Sequence, residues 1–96
     1  MKKPEIMVVC AFGLGTSMIL KLTLDKVLKA EGLAAKTFCA DESTAKGQTY
    51  DMVFTSKEMA KLFEGIDKPV VVINNFLSLN EVREKGLTLV RNLFEA

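Results

Sequence analysis

The stretch Cys10-Ala11-Phe12-Gly13-Leu14-Gly15-Thr16-Ser17 decides how this chain is read. The residues before it, Glu5-Ile6-Met7-Val8-Val9, are mostly apolar and predict a buried strand, while from Met18 onward the apolar positions fall at helical spacing. The stretch is therefore a strand-to-helix turn. A glycine-rich turn entering a helix offers unpaired backbone N–H groups and the positive end of the helix dipole, a combination that binds anions. Cys10 stands at the mouth of this turn, and the field that would hold a phosphate also favours its thiolate. The residues point to a cysteine that takes up a phosphoryl group inside a backbone cradle.

Beyond the turn, Leu20, Leu24, Val27 and Leu28 form an apolar stripe, with Lys21, Asp25, Lys26 and Lys29 opposite. Gly32 is placed to stop this first helix, and Thr16 or Ser17 is its natural N-cap. Residues 34–39 predict a second strand and residues 40–50 a polar loop with one short helix. Asp51-Met52-Val53-Phe54-Thr55 is a third strand, and Thr55-Ser56-Lys57-Glu58 fits a capping box. The short helix expected after it buries Met59, Leu62 and Phe63 and ends at Gly65.

Pro69 opens a fourth strand, Val70-Val71-Val72-Ile73, whose unbroken β-branched run suggests burial on both faces. Ser78-Leu79-Asn80-Glu81 is a second capping box. It introduces a last helix buried through Val82, Leu89, Val90 and Leu93, which Gly86 divides or bends. This alternation predicts a single domain over residues 1–96, an α/β three-layer sandwich with a four-stranded parallel sheet, Rossmann-like, with a P-loop after strand 1. In such sheets ligands bind beyond the carboxyl ends of the strands. Cys10 lies at one such end, and Cys39, Thr55, Ser56, Asn74 and Asn75 follow the others, within reach of the same rim.

Composition narrows the chemistry. A net charge of +1 over 96 residues supplies no global field toward nucleic acid or a membrane surface. The chain has no histidine, which excludes Cys-His and Ser-His pairs, His-ligated metals and a phosphohistidine carrier, so neither a metal nor a cofactor is expected. The two cysteines, at 10 and 39, form neither a CxxC motif nor a zinc framework and suggest reduced thiols in a cytoplasm. Met1-Lys2-Lys3 before an apolar run imitates a signal peptide, but Pro4 and Glu5 interrupt it and the run is too short. No stretch approaches the roughly 18 apolar residues of a membrane span, so direct insertion is not expected.

Four other readings of the turn compete with this one. A dinucleotide fingerprint lacks its third glycine, since Met18 occupies that place, and no Gly-Lys-Ser or Gly-Lys-Thr completes a Walker A loop. A low-molecular-weight cysteine phosphatase or arsenate reductase has a cysteine, five residues, an arginine, then a hydroxyl residue. Here Thr16 stands where the arginine belongs, and Ser17 matches the hydroxyl. Without the guanidinium to grip the phosphoryl oxygens, hydrolysis is poor and a phosphocysteine persists. The plainest alternative is a packed cysteine beside a structural glycine turn, and for Cys39, which lacks such a turn, a packed or inert role is the expectation.

The strand Ile6-Met7-Val8-Val9, the loop from Cys10 to Met18, the strand-helix order and the segment Asn75-Phe76-Leu77-Ser78 resemble the IIB component of the bacterial sugar phosphotransferase system. The likeness is to the ascorbate and galactitol group of these cysteine-phosphorylated domains, within a fold like that of the lactose/cellobiose type. It implies a phosphotransferase subunit that receives phosphate from a histidine of a IIA protein and passes it to a sugar at the membrane transporter IIC. Ascorbate is the favoured sugar type. Carried onto this sequence, Cys10 is the phosphorylated nucleophile, and Ala11, Phe12, Gly13, Leu14, Gly15, Thr16 and Ser17 bind the phosphate. Phe12, Leu14 and Met18 would contribute to the docking face for the two partners.

Overall fold

Strands β1 (Glu5–Val9), β2 (Lys36–Ala40), β3 (Met52–Thr55) and β4 (Val70–Val72) form one sheet in the order β2-β1-β3-β4. All three pairings are parallel. The structure is a computed structural model that describes residues 3–9, 14–45 and 47–95, without the side chains of residues 14–16, 42, 43 and 95. Register places Val9 between Ala40 and Thr55, and Thr55 opposite Val72. The connections are α1 (Leu14–Ala30), α2 (Glu42–Ala45) and a 3-10 turn (Ala60–Phe63), and α3 (Leu79–Glu95) follows β4.

Side chains alternate across a strand, so the apolar run of β1 fills two cores at once. Ile6 and Val8 join Met52, Phe54, Val71 and Ile73 beneath Leu20, Leu24, Val27 and Leu28 of α1 and Val82 and Val90 of α3. Met7 and Val9 join Val53 on the opposite face, under Ala45, Met59 and Phe63. Residues 6–9 of β1 are fully buried as a result. The layered α/β sandwich expected from the sequence is thus present.

The first helix ends as its sequence indicates. Gly32 takes a positive φ of 69°, and Leu33 N–H donates to Leu28 C=O at 2.9 Å, closing a Schellman-type cap. Lys21 pairs with Asp25 at 2.8 Å, and Asp25 accepts a second bond from the Thr37 hydroxyl at 2.6 Å, which ties α1 to β2.

Four expectations are corrected. Helix α1 already contains Thr16 and Ser17 in its first turn, so neither is the N-cap. The Thr55–Glu58 capping box does not form: Thr55 completes β3, and only a single 3-10 turn follows, although Met59 and Phe63 are buried and Gly65 adopts a φ of 81°. The Val70–Val72 strand lies at the sheet edge, with Val70 and Val72 only half-buried; its β-branched character reflects strand propensity more than two-sided burial. Gly86 does not divide α3, which runs unbroken. A Cβ at Gly86 would stand 2.5 Å from Cζ of the buried Phe54 ring, so glycine is there to let the helix approach the sheet.

The second capping box forms by half. Glu81 N–H donates to Ser78 Oγ at 3.1 Å, but the Glu81 carboxylate turns to the N–H groups of Asn74 and Asn75, at 2.7 and 2.8 Å, and to Lys85. Burial pushes the Glu81 pKa up. The bonds from the Asn74 amide, the Lys85 ammonium and the Asn75 amide outweigh it and hold the carboxyl below its ordinary value.

Gly86→Ala is expected to destabilise the fold by up to about 2 kcal/mol, an overpacking cost of about 1–3 kcal/mol against Phe54 less the roughly 1 kcal/mol helix-propensity gain. Urea titration checks this, and adding Phe54→Leu should recover part of the loss by making room for the new methyl. Because the folded pKa of Glu81 is lowered, its contribution is complete above the ordinary carboxylate pKa of about 4.3 and is lost as pH falls through the lower folded value. Glu81→Gln should therefore cost no more than about 1 kcal/mol at pH 7, because these bonds lie at exposed positions where solvent screens the charge. The gap from wild type should shrink as the medium becomes more acidic than that range; an undiminished gap would contradict the charge-based account.

Candidate functional site

Strand β1 ends at Val9 and α1 begins at Leu14. Of the residues singled out in the turn, Cys10, Ala11, Phe12 and Gly13 lie outside the described residues. Leu14, Gly15 and Thr16 supply backbone to the first turn of α1, and Ser17 is fully buried there. That first turn contains no acidic residue, so no carboxylate of its own offsets the positive end of the helix.

The strand order fixes where a crevice opens. The chain leaves β1 through α1 on one face of the sheet and reaches β4 from β3 through the 3-10 turn on the other. The order reverses between β1 and β3, the position at which open α/β sheets bind ligands beyond their carboxyl ends. Cys10 follows the last residue of β1, and Ser56 follows the last residue of β3.

The other rim residues divide. Thr55 is fully buried and Ser56 is 6% exposed, yet neither Thr55 Oγ1 nor Ser56 Oγ has a hydrogen-bond partner. Their backbone carbonyls are engaged, by Ile73 N–H at 2.9 Å and Met59 N–H at 3.2 Å. A buried hydroxyl left unpaired costs about 1–3 kcal/mol, so two together are unusual. Asn74 and Asn75, by contrast, are exposed, and their amides are already occupied by Glu81; Asn75 Oδ1 also accepts from Leu77 N–H at 3.0 Å.

Cys39 is drawn away from the rim. It lies inside β2 opposite Val8 and packs against the core beneath α1. Burial pushes its thiol pKa up, with Lys21 opposing and Asp25 reinforcing the shift, so the neutral, less nucleophilic form is favoured. That matches the packed role expected from its sequence context.

The sequence reading sets Thr55 and Ser56 at the carboxyl rim and Met18 on the docking face; what it does not show is that both hydroxyls are buried without a partner and that Ile19 and Leu22 are exposed beside Met18. Met18, Ile19 and Leu22 are exposed on α1, off the Leu20-Leu24-Val27-Leu28 stripe, a departure readable from helical spacing. Leu77 is exposed as well, on a loop tied to α1 by Thr23, whose hydroxyl serves both Ile19 C=O and Phe76 C=O. Among the described residues no helix is long and apolar enough to cross a membrane, and no group of three His, Cys, Asp or Glu side chains could hold a metal ion.

Comparison with known proteins agrees with this geometry. A curated relative, the "Ascorbate-specific PTS system EIIB component" of Mycoplasma pneumoniae, is 28% identical over 86 residues, covering 86% of this chain and 90% of its own. The structure of the lactose-specific IIB component domain from Streptococcus pneumoniae superposes with a TM-score of 0.61 at 16% identity, over 98% of this chain and 97% of that one, a likeness of fold. The family described as "PTS system, Lactose/Cellobiose specific IIB subunit" matches residues 5–85, from the first strand into the last helix. On that match the chain belongs to the lactose/cellobiose-specific IIB family of the phosphotransferase system, whose members are phosphotransferase subunits that carry phosphoryl groups.

Proposed function

We propose that this chain accepts a phosphoryl group on Cys10 from the phosphohistidine of a IIA protein and delivers it to a sugar of the ascorbate type at a IIC transporter. In the first step the Cys10 thiolate attacks phosphorus, an S–P bond forms, and the P–N bond breaks with its electron pair returning to the imidazole of the donor. In the second a sugar hydroxyl attacks, the S–P bond breaks, and sulfur leaves as a thiolate while the hydroxyl proton passes to solvent or a neighbouring base. Both are in-line transfers in which the protein positions groups and stabilises charge.

The observation that carries the reading is the position of Cys10 in the chain, directly after the strand at which the sheet order reverses and shortly before a helix whose first turn bears no carboxylate. The N–H groups of residues 11–17 are the proposed phosphate ligands, with Ser17 adding a hydroxyl. The printed name of the Mycoplasma pneumoniae relative favours ascorbate. The exposed Met18, Ile19, Leu22 and Leu77 favour this side of α1, with Phe12 and Leu14, as the docking face. Transient contacts suit a carrier that must leave one partner to meet the next. With its partners so placed, the chain works at the cytoplasmic side of the transporter.

Incubation with a phosphorylated IIA protein and intact-mass measurement tests the proposal. One phosphoryl group is expected, with the acid and base lability of a thiophosphate, on wild type and on Cys39→Ser, and none on Cys10→Ser. Steady hydrolysis of an aryl phosphate by the wild type would instead establish a phosphatase. Membranes carrying an ascorbate-type or a lactose-type IIC, supplied with the phosphorylated chain, decide the sugar: ascorbate phosphate is expected from the first, and transfer to lactose would correct the assignment.

A further inference from the structure

The hydroxyls of Thr55 and Ser56 remain without a role in the folded protein. They close a strand whose other members, Met52, Val53 and Phe54, are apolar and fully buried, so the position favours a valine as readily as a threonine. The sheet does not employ them, because its bonds run through the backbone, and the capping box that would have used Thr55 is absent. Both are more than nine-tenths buried and unpartnered. Thr55 is paired with Val9 across the β1/β3 boundary, and one residue beyond this pair come Cys10 and Ser56. A buried donor with no partner in the resting protein, beside the point where a charged group arrives and departs, is a site prepared for that group.

We infer that Thr55 and Ser56 form a second wall of the phosphoryl site, donating their hydroxyl hydrogens to the oxygens of the transferred phosphoryl group from the β3 side. The inference rests on the carrier reading above and adds to it. The phosphate ligands proposed from residues 11–17 are backbone amides, whereas these two hydroxyls lie at the last residue of β3 and the one after it. Their bonds are made only in the phosphorylated state, so they favour loading over the empty form. Unlike an arginine, they bring no formal charge, and they hold the group without strongly promoting attack by water.

The consequence is a pair of opposite effects that a structural role would not produce. Thr55→Val keeps the side-chain shape and removes an unpaired buried hydroxyl, so the unphosphorylated protein should melt at or above the wild-type temperature. The same variant should lower the ratio of phosphorylated to unphosphorylated protein, at equilibrium with a phosphorylated IIA donor, by about tenfold, and Thr55→Val with Ser56→Ala by more. The ratio is read by intact mass, and the 31P resonance of the phosphocysteine should move in both. Thr55→Ser, which keeps the hydroxyl, should restore loading toward wild type. Wild-type loading and an unshifted 31P resonance in the double variant would overturn the inference and leave the two hydroxyls to a buried water. Failure of wild type itself to load on Cys10 would instead overturn the carrier reading. If the double variant folds poorly, Thr55→Val and Ser56→Ala taken singly decide the matter, each compared with its own unphosphorylated melting temperature.

Discussion

The complete burial of residues 6–9 of β1 is the constraint from which the rest of the structure follows. Ile6, Met7, Val8 and Val9 are fully removed from water, alternately into the core beneath α1 and α3 and the core beneath α2 and the 3-10 turn. At up to about 1.5–3 kcal/mol for each large aliphatic side chain, this strand is a principal contributor to the hydrophobic stabilisation. A one-residue slip would exchange the two sets of side chains and leave neither core filled. Val9 is fixed by the same packing, and with it the point at which the chain leaves the sheet. The residues of the proposed site thus follow directly on a fully buried run of the sheet, an arrangement that gives a short site a rigid base.

The two faces are covered unequally. Two seventeen-residue helices, α1 and α3, close one, and Glu31 near the end of α1 accepts from both Arg83 and Arg91 of α3. These pairs are partly exposed and contribute little energy individually. Contact through the core does more, and it explains Gly86: the helix lies so near the sheet that the Phe54 ring occupies the volume of a side chain. The opposite face relies on a four-residue helix and a 3-10 turn, with Tyr50 set edge-on to Phe63 at 6.3 Å between ring centres. Thr55 belongs to the thinner face's side of the sheet boundary, where short connecting elements leave its hydroxyl without a helical N–H to satisfy.

What was legible in the sequence was what depends on local pattern. The alternating elements, the end of α1 at Gly32, the short helix in the 40–50 segment and the packed state of Cys39 follow from periodicity, positive φ at glycine and the lack of a cation-rich turn. Features set by the neighbours of an element were not legible. Four β-branched residues cannot reveal whether their strand is central or at an edge, and β4 proved to be an edge strand. A glycine inside a helix reads as a break until the ring packed against it is known. Capping motifs share this ambiguity, since Ser78 does bond Glu81 N–H while the carboxylate of Glu81 prefers two amides of the preceding loop. The expected cap at Thr55 failed because the strand retained that residue. As for the candidate site, the place of Thr55 and Ser56 at the carboxyl rim was legible from the strand pattern, whereas the burial of their hydroxyls without a partner depends on neighbouring elements and was not.

The substitution of Thr16 for arginine gains its meaning from this placement. A phosphoryl carrier and a cysteine phosphatase need the same thiolate and the same ring of backbone donors, because both form a bond from sulfur to phosphorus. They differ in what happens next. A hydrolase lowers the barrier for water by concentrating positive charge on the oxygens and supplying a proton to the leaving group; a carrier must make the loaded state stable enough to survive the interval between partners. Neutral donors such as amides and hydroxyls act on the loaded ground state at least as strongly as on the transition state for hydrolysis, so they lengthen that interval. In this chain the position that would carry the guanidinium is Thr16, within the first turn of α1, and histidine is absent altogether. The most economical way to convert a hydrolytic fold into a carrier is to keep its cradle and omit its charge, and under the proposed function the sequence from Cys10 to Ser17, with Thr16 in the arginine's place, would follow that design.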